Sequence, residues 1–151
     1  MVQLVDGNLL DSPANALVNS VNNEGVMGKG IALQFKKRFP AMFEAYCFAC
    51  QAGDVKPGKM HFFALGEACQ PRFIINFPTK RDWRSPSRLE DIESGLHALA
   101  QEIYQREIRS VAIPALGCGN GGLGWDEVYQ LIQGVLGRLD GVRVLVYQPK
   151  P

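Results

Sequence analysis

Three stretches of this sequence carry residue types and spacings that could do chemistry. One is a polar loop with three glycines, Asn22-Asn23-Glu24-Gly25-Val26-Met27-Gly28-Lys29-Gly30. A second is Gly117-Cys118-Gly119-Asn120-Gly121-Gly122-Leu123-Gly124. The third is Pro78-Thr79-Lys80-Arg81-Asp82-Trp83-Arg84, a run rich in cations. Each glycine loop follows an apolar run that reads as a strand and precedes a helical pattern. Glycine lets the backbone approach a ligand closely and adopt positive φ. A helix N-terminus adds free N–H groups and partial positive charge. Two such loops could hold the two phosphates of one diphosphate; the alternative is that the glycines only make tight turns. Gly117, Gly119 and Gly122 also fit the G-x-G-x-x-G dinucleotide pattern, but only one helix and one strand follow, too little for a Rossmann unit. Gly28-Lys29 lacks the Ser/Thr and the glycine spacing of a P-loop.

Lys80 can act in two ways. As an ammonium it could protonate or polarise a leaving group. As a free amine, its pKa lowered by burial or by cations such as Arg81 and Arg84, it could attack a sugar aldehyde. The alternative is a solvated surface lysine. Around it, Arg81, Arg84 and Arg88 could meet phosphates, with Trp83 stacking on an unpaired base. Otherwise Trp83 anchors the loop and the arginines pair with Asp82, Glu90 or Asp91.

The elements that must position these groups follow from periodicity. Strands are expected at 2–5, 16–21, 59–65, 72–77, 110–116 and 142–148, with a hairpin through 66–71. Ile31, Phe35 and Phe39 share a helical face, and Pro40 ends that helix or starts the next. Ser87 and Glu90 match a capping box, followed by Leu89, Ile92, Leu96, Leu99 and Ile103 at helical spacing. His97 lies off that stripe and reads as structural or at the surface. A last helix covers 125–139. Strands alternating with helices predict an α/β sandwich around a largely parallel sheet.

The chain has 151 residues, 46% hydrophobic and 21% charged, which suits one folded domain. Its formal net charge of +1 excludes a global electrostatic case for nucleic acid, so any anion must be met locally. No apolar run reaches membrane-spanning length and the N-terminus lacks a signal-peptide pattern, so a cytoplasmic protein is expected. Cys47 and Cys50 form a C-x-x-C without a second pair, so buried reduced thiols are expected and no metal or cofactor.

Taken together, these segments resemble the macrodomain family. Val18-Asn19-Ser20-Val21-Asn22 is similar to its V-N-A-A-N segment, residues 25–32 to its first glycine loop, and residues 114–123 to its second phosphate loop. The order of elements matches over nearly the whole chain. Within the family, Pro78-Thr79-Lys80 resembles the N-F-P-T-K segment of the DarG-type DNA ADP-ribosyl glycohydrolases. Those are antitoxins of DarT-type toxins and are similar to a lysine-dependent human ADP-ribose glycohydrolase. The resemblance implies a macrodomain-type three-layer α/β/α sandwich over 1–151. It also implies the N-terminal domain of a longer antitoxin, whose further domain binds the toxin.

The implied activity is removal of ADP-ribose from thymidine in single-stranded DNA. The alternatives are a non-catalytic ADP-ribose reader, a hydrolase of ADP-ribosylated protein, or a general nucleotide-binding domain. The implied catalytic residues are Lys80 and Asn22. ADP-ribose would be bound by Asn8, Leu9, Asn19, Gly28, Lys29, Gly30 and Ile31 on one side. Gly117, Cys118, Gly119, Asn120, Gly121, Gly122 and Leu123 would hold it from the other. Asn8 falls where many macrodomains place an aspartate against the adenine amine. DNA would be met by Arg81, Trp83 and Arg84. Where the human relative carries a catalytic aspartate this sequence has Gly121, with Asp126 displaced along the chain. The resemblance therefore favours Lys80 acting at the base or anomeric centre, with Asn22 and ordered water, over a complete imine cycle.

Overall fold

Short runs of Val, Ile and Phe between turn residues form six strands: β1 (Val2–Val5), β2 (Ala16–Val21), β3 (His61–Ala64), β4 (Phe73–Pro78), β5 (Ser110–Ile113) and β6 (Arg143–Tyr147). The helices are α1 (Gly30–Arg38), α2 (Pro40–Gln51), α3 (Leu89–Gln105) and α4 (Trp125–Leu136). The computed structural model describes residues 1–82 and 84–149, the side chain of Asn120 excepted.

The strands form one sheet in the order β1-β6-β5-β2-β4-β3. All neighbours pair in parallel except β3, which runs antiparallel to β4. Side chains alternate across a strand, and this alternation builds two cores. Val18, Ile75 and Phe77 face α3 and α4, while Leu17 and Ile74 face α1 and α2. The result is the three-layer sandwich the sequence predicts.

Several boundaries differ from expectation for identifiable reasons. Of the two roles expected for Pro40 the second holds: it starts α2, since its missing N–H costs nothing in a first turn. Helix α4 stops at Leu136, three residues before Leu139. The expected Ser87–Glu90 capping box does not form. Arg88 is the N-cap of α3 and makes no side-chain cap bond. Ser87 is displaced from that role because its N–H donates to the Gly121 carbonyl at 3.0 Å. His97 is exposed. The expectation of buried thiols fails for Cys69, which is exposed, while Cys47 and Cys50 are half-buried and Cys118 is buried.

Behind the sheet ends lies a buried polar chain. Asn19 Nδ2 donates to Asn76 Oδ1 at 3.1 Å, and Asn76 Nδ2 lies 3.0 Å from His61 Nδ1. With Asn76 oriented in this way, the imidazole nitrogen must accept, so His61 is neutral. Burial pushes its pKa below the ordinary value. The unfolded state then binds the proton more readily, and His61 contributes stability above the unfolded pKa that is lost as pH falls below it. The denaturation midpoint is expected to fall from pH 7.5 to pH 5.5, with a shallower fall in His61→Gln. Identical pH slopes for both proteins would remove His61 from the effect.

Candidate active site

Five parallel strands end on the same edge, and an open α/β sheet binds ligands there. A cleft of about 970 Å³ runs across those ends. At one end it is lined by Asn8 and Leu9 after β1 and by Tyr147 and Gln148 at the end of β6. The middle is formed by Gly28, Lys29, Gly30 and Ile31 on one wall and Gly117, Cys118, Gly119 and Gly121 on the other. Asn22, Thr79, Lys80, Arg84 and Ser87 also line it. Lys80 and Arg84 follow β4, so they stand on the far side of β2 from Asn8 and Tyr147.

The first loop leads into α1, whose N-cap Lys29 makes no side-chain cap bond. Among the described residues, the first amides of the helix, at Gly30, Ile31 and Ala32, therefore stand at the cleft without intrahelical acceptors. In the second loop Gly117, Gly119 and Gly122 have φ of 72°, 53° and 80°, a backbone region that other residues rarely adopt. Gly121 is constrained differently: a Cβ there would come within 2.3 Å of Ser87 Oγ. The G-x-G-x-x-G match thus reflects a turn built for close approach, in a sheet without Rossmann strand order.

The position of Lys80 is set by its neighbours in the sheet. β4 pairs with β2 up to Pro78 opposite Val21, and Thr79 N–H then donates to the Val21 carbonyl at 2.8 Å. Thr79 Oγ1 also meets Ser20 Oγ at 2.8 Å. These bonds hold the chain against the end of β2, so Lys80 and Asn22 leave adjacent strand ends and both line the cleft. Lys80 is half-buried, and none of the ion pairs among the described residues involves it. The loop beyond is folded on Asp82, whose carboxylate accepts from the N–H groups of Arg84 at 2.6 Å and Ser85 at 3.0 Å. Those bonds, led by the Arg84 amide, hold the Asp82 pKa below its usual value.

Asn22 is buried and already engaged. Its Oδ1 accepts from Glu24 N–H at 2.9 Å, and its Nδ2 donates to the Val26 carbonyl at 2.8 Å. Tyr46 on α2 places its hydroxyl 2.7 Å from the Asn22 carbonyl and 2.9 Å from Oδ1. Asn22 therefore shapes the first loop and keeps one Nδ2 proton for a ligand. Burial pushes the Tyr46 pKa far up, so it remains a donor. Tyr46→Phe should cost about 1–3 kcal/mol in urea unfolding, because the buried acceptors lose their donor, and should weaken binding at the first loop. Unchanged stability would sink this role.

The other expected residues are distributed as follows. Asn8 Oδ1 accepts from Leu10 N–H at 3.1 Å, leaving one lone pair for a ligand. Asn19 is fully buried in the polar chain and does not line the cleft. Gly122 and Leu123 complete the second turn but are not among the lining residues. Arg81 is directed to Asp91 instead, with Nε 3.4 Å from its carboxylate, as the anchoring alternative holds. Arg84 lines the cleft. Trp83 and the Asn120 side chain lie outside the described residues. Asp126 is exposed on α4 and away from the cleft. As site residues, sequence reasoning missed Tyr46, Thr79, Ser87 and Tyr147; their roles arise from neighbours distant in the chain.

Among the described lining residues are three cations, Lys29, Lys80 and Arg84, and no carboxylate. The cleft is thus built for an anionic ligand. It holds no acid–base pair of the kind two-carboxylate glycosidases use.

Residues 18–132 match the Macro domain family, and the chain belongs to it. It is 53% identical over 149 residues, 99% of its length, to a DNA ADP-ribosyl glycohydrolase of Thermus aquaticus, of which the match covers 41%. Among solved structures, the macrodomain of Mycobacterium tuberculosis DarG superposes with a TM-score of 0.97 at 49% identity, over 99% of both chains. Thermosipho africanus DarTG in complex with ADP-ribose gives 0.90 at 36% identity, over 98% of this chain and 41% of that one. The chain spans about two-fifths of the length of the curated relatives it matches.

Proposed function

We propose that this macrodomain is an ADP-ribosyl glycohydrolase that removes ADP-ribose from thymidine bases of single-stranded DNA. The observation that carries the reading is that Lys80 and Asn22, leaving adjacent strand ends, line one cleft whose described lining residues include cations and no carboxylate. Adenine sits at the Asn8 and Tyr147 end. The diphosphate lies between the two glycine loops, against the α1 N-terminus. The distal ribose then reaches Lys80.

The bond to be broken joins the anomeric carbon to the base, and its transition state carries oxocarbenium character. The departing base gains electron density. The Lys80 ammonium donates a hydrogen bond or a proton to it, as a positioned acid. Asn22 Nδ2 holds the ribose, and water completes the hydrolysis. Arg84, at the rim, meets the DNA backbone, and the base leaves its stack to enter. The DNA ADP-ribosyl glycohydrolases among the relatives support this substrate class. The longer protein, by this reading, is a cytoplasmic antitoxin acting against a DarT-type toxin.

The test is release of ADP-ribose from a thymidine-modified single-stranded oligonucleotide. Release supports the reading. Tight ADP-ribose binding without release from that oligonucleotide, but with release from ADP-ribosylated protein, would move the substrate to protein. Binding with no release from either would make the domain a reader.

A further inference from the structure

One hydroxyl in the cleft wall has no use in the folded chain. Ser87 is 6% exposed, and its Oγ has no hydrogen-bond partner among the described residues. A buried unpaired hydroxyl costs about 1–3 kcal/mol. Such a group is either a defect or is paired in another state of the molecule. Its surroundings favour the second. Ser87 lines the same cleft as Lys80 and Arg84, three positions after Arg84 in the chain. Its backbone is fixed by the bond to the Gly121 carbonyl at 3.0 Å. The second loop, in turn, packs closely against it. A Cβ on Gly121 would lie 2.3 Å from Ser87 Oγ, and a Cβ on Gly117 would lie 3.2 Å from Ser87 Cβ. Gly121 has no positive φ to explain its being glycine. A Cβ there would also lie 2.9 Å from Ser87 Cβ, so the glycine leaves room for the Ser87 side chain.

We infer that Ser87 Oγ is a ligand-contacting group for the ribose at the Lys80 end of the cleft, pairing with a ribose hydroxyl when ligand seats against the second loop. The inference rests on the functional reading above for the ligand's orientation. Gly121 lies directly against the buried oxygen, so a seated ligand meets the hydroxyl once this glycine wall moves off it. The hydroxyl is unpaired without ligand and paired with it, so the fold bears a cost that binding relieves.

The test uses calorimetric titration of the parent and Ser87→Ala with ADP-ribose and with ADP, which lacks the distal ribose. Thermal melting of both proteins is measured alongside. Ser87→Ala is expected to weaken ADP-ribose binding about 10-fold, leave ADP binding unchanged, and keep or raise Tm. Affinity then falls with no loss of stability, which a merely structural serine would not produce. Ser87→Gly, which also removes the Cβ, should repeat the ligand split. Equal ADP-ribose affinity in parent and variant would overturn the inference while leaving the functional reading intact. Equal losses for ADP and ADP-ribose, or a loss accompanied by lower Tm, would overturn it as well. A parent that binds neither ligand would instead overturn the functional reading.

Discussion

Lys80→Ala is expected to slow release of ADP-ribose from modified oligonucleotide by about 100-fold or more, with ADP-ribose affinity changed only a few-fold. The split follows from geometry. In the proposed reading the diphosphate is held by backbone groups of the two glycine loops, which do not involve the Lys80 side chain. The anomeric centre, in that reading, meets the part of the cleft lined by Lys80 and Asn22. Among the described lining residues there is no carboxylate to replace it, so little residual acid catalysis should remain. Lys80→Arg keeps the charge, but a guanidinium gives up its proton poorly, and it should recover little. Borohydride should trap no lysine adduct if Lys80 acts as an acid; a trapped adduct would move the mechanism to an imine. Release by Lys80→Ala at the parental rate would remove Lys80 from the chemistry and direct attention to Asn22 and the second loop.

Gly95→Val should destabilise the domain by about 3 kcal/mol or more, through overpacking. Gly95 lies inside α3, where glycine ordinarily costs about 1 kcal/mol relative to alanine. By propensity alone, filling it should help. The tertiary contact reverses that sign: a Cβ at Gly95 would lie 2.4 Å and 2.6 Å from atoms of the Phe77 ring. Phe77 is fully buried on β4, so the ring has nowhere to go. Helix α3 must move off the sheet, or β4 must shift, and β4 leads directly into Thr79 and Lys80. Activity should therefore fall along with stability. Gly95→Ala is the milder case, in which the clash still outweighs the gain in propensity. A Gly95→Ala protein with a higher urea midpoint would show that the helix and sheet separate freely.

Much of the fold was legible because periodicity is a local property. The alternation in β2 and β4 and the Leu89-to-Ile103 stripe each encode which face is buried. Together with short connections, they leave few ways to stack the layers. The glycine loops were legible as well, because positive φ at Gly117, Gly119 and Gly122 is a demand that the sequence meets with glycine. Lys80 was picked out by its segment. Ser87 was misread from the same local grammar. Its S-x-x-E spacing fits a capping box, but the carbonyl of Gly121, thirty-four positions away, takes its N–H instead.

By itself, then, the sequence determined the layers and the two glycine loops, since each is written in spacing or residue type, while Lys80 stood out through the segment that resembles the family's. Tertiary structure alone decided that Arg81 turns to Asp91, that Asn19 faces the interior, and that Tyr46 orders Asn22. It also decided that Ser87 stands unpaired in the cleft wall. Those outcomes depend on which strand ends lie side by side. Pairing β4 beside β2, across fifty-seven positions of chain, is fixed by burial of both sheet faces at once, and no local window contains that information.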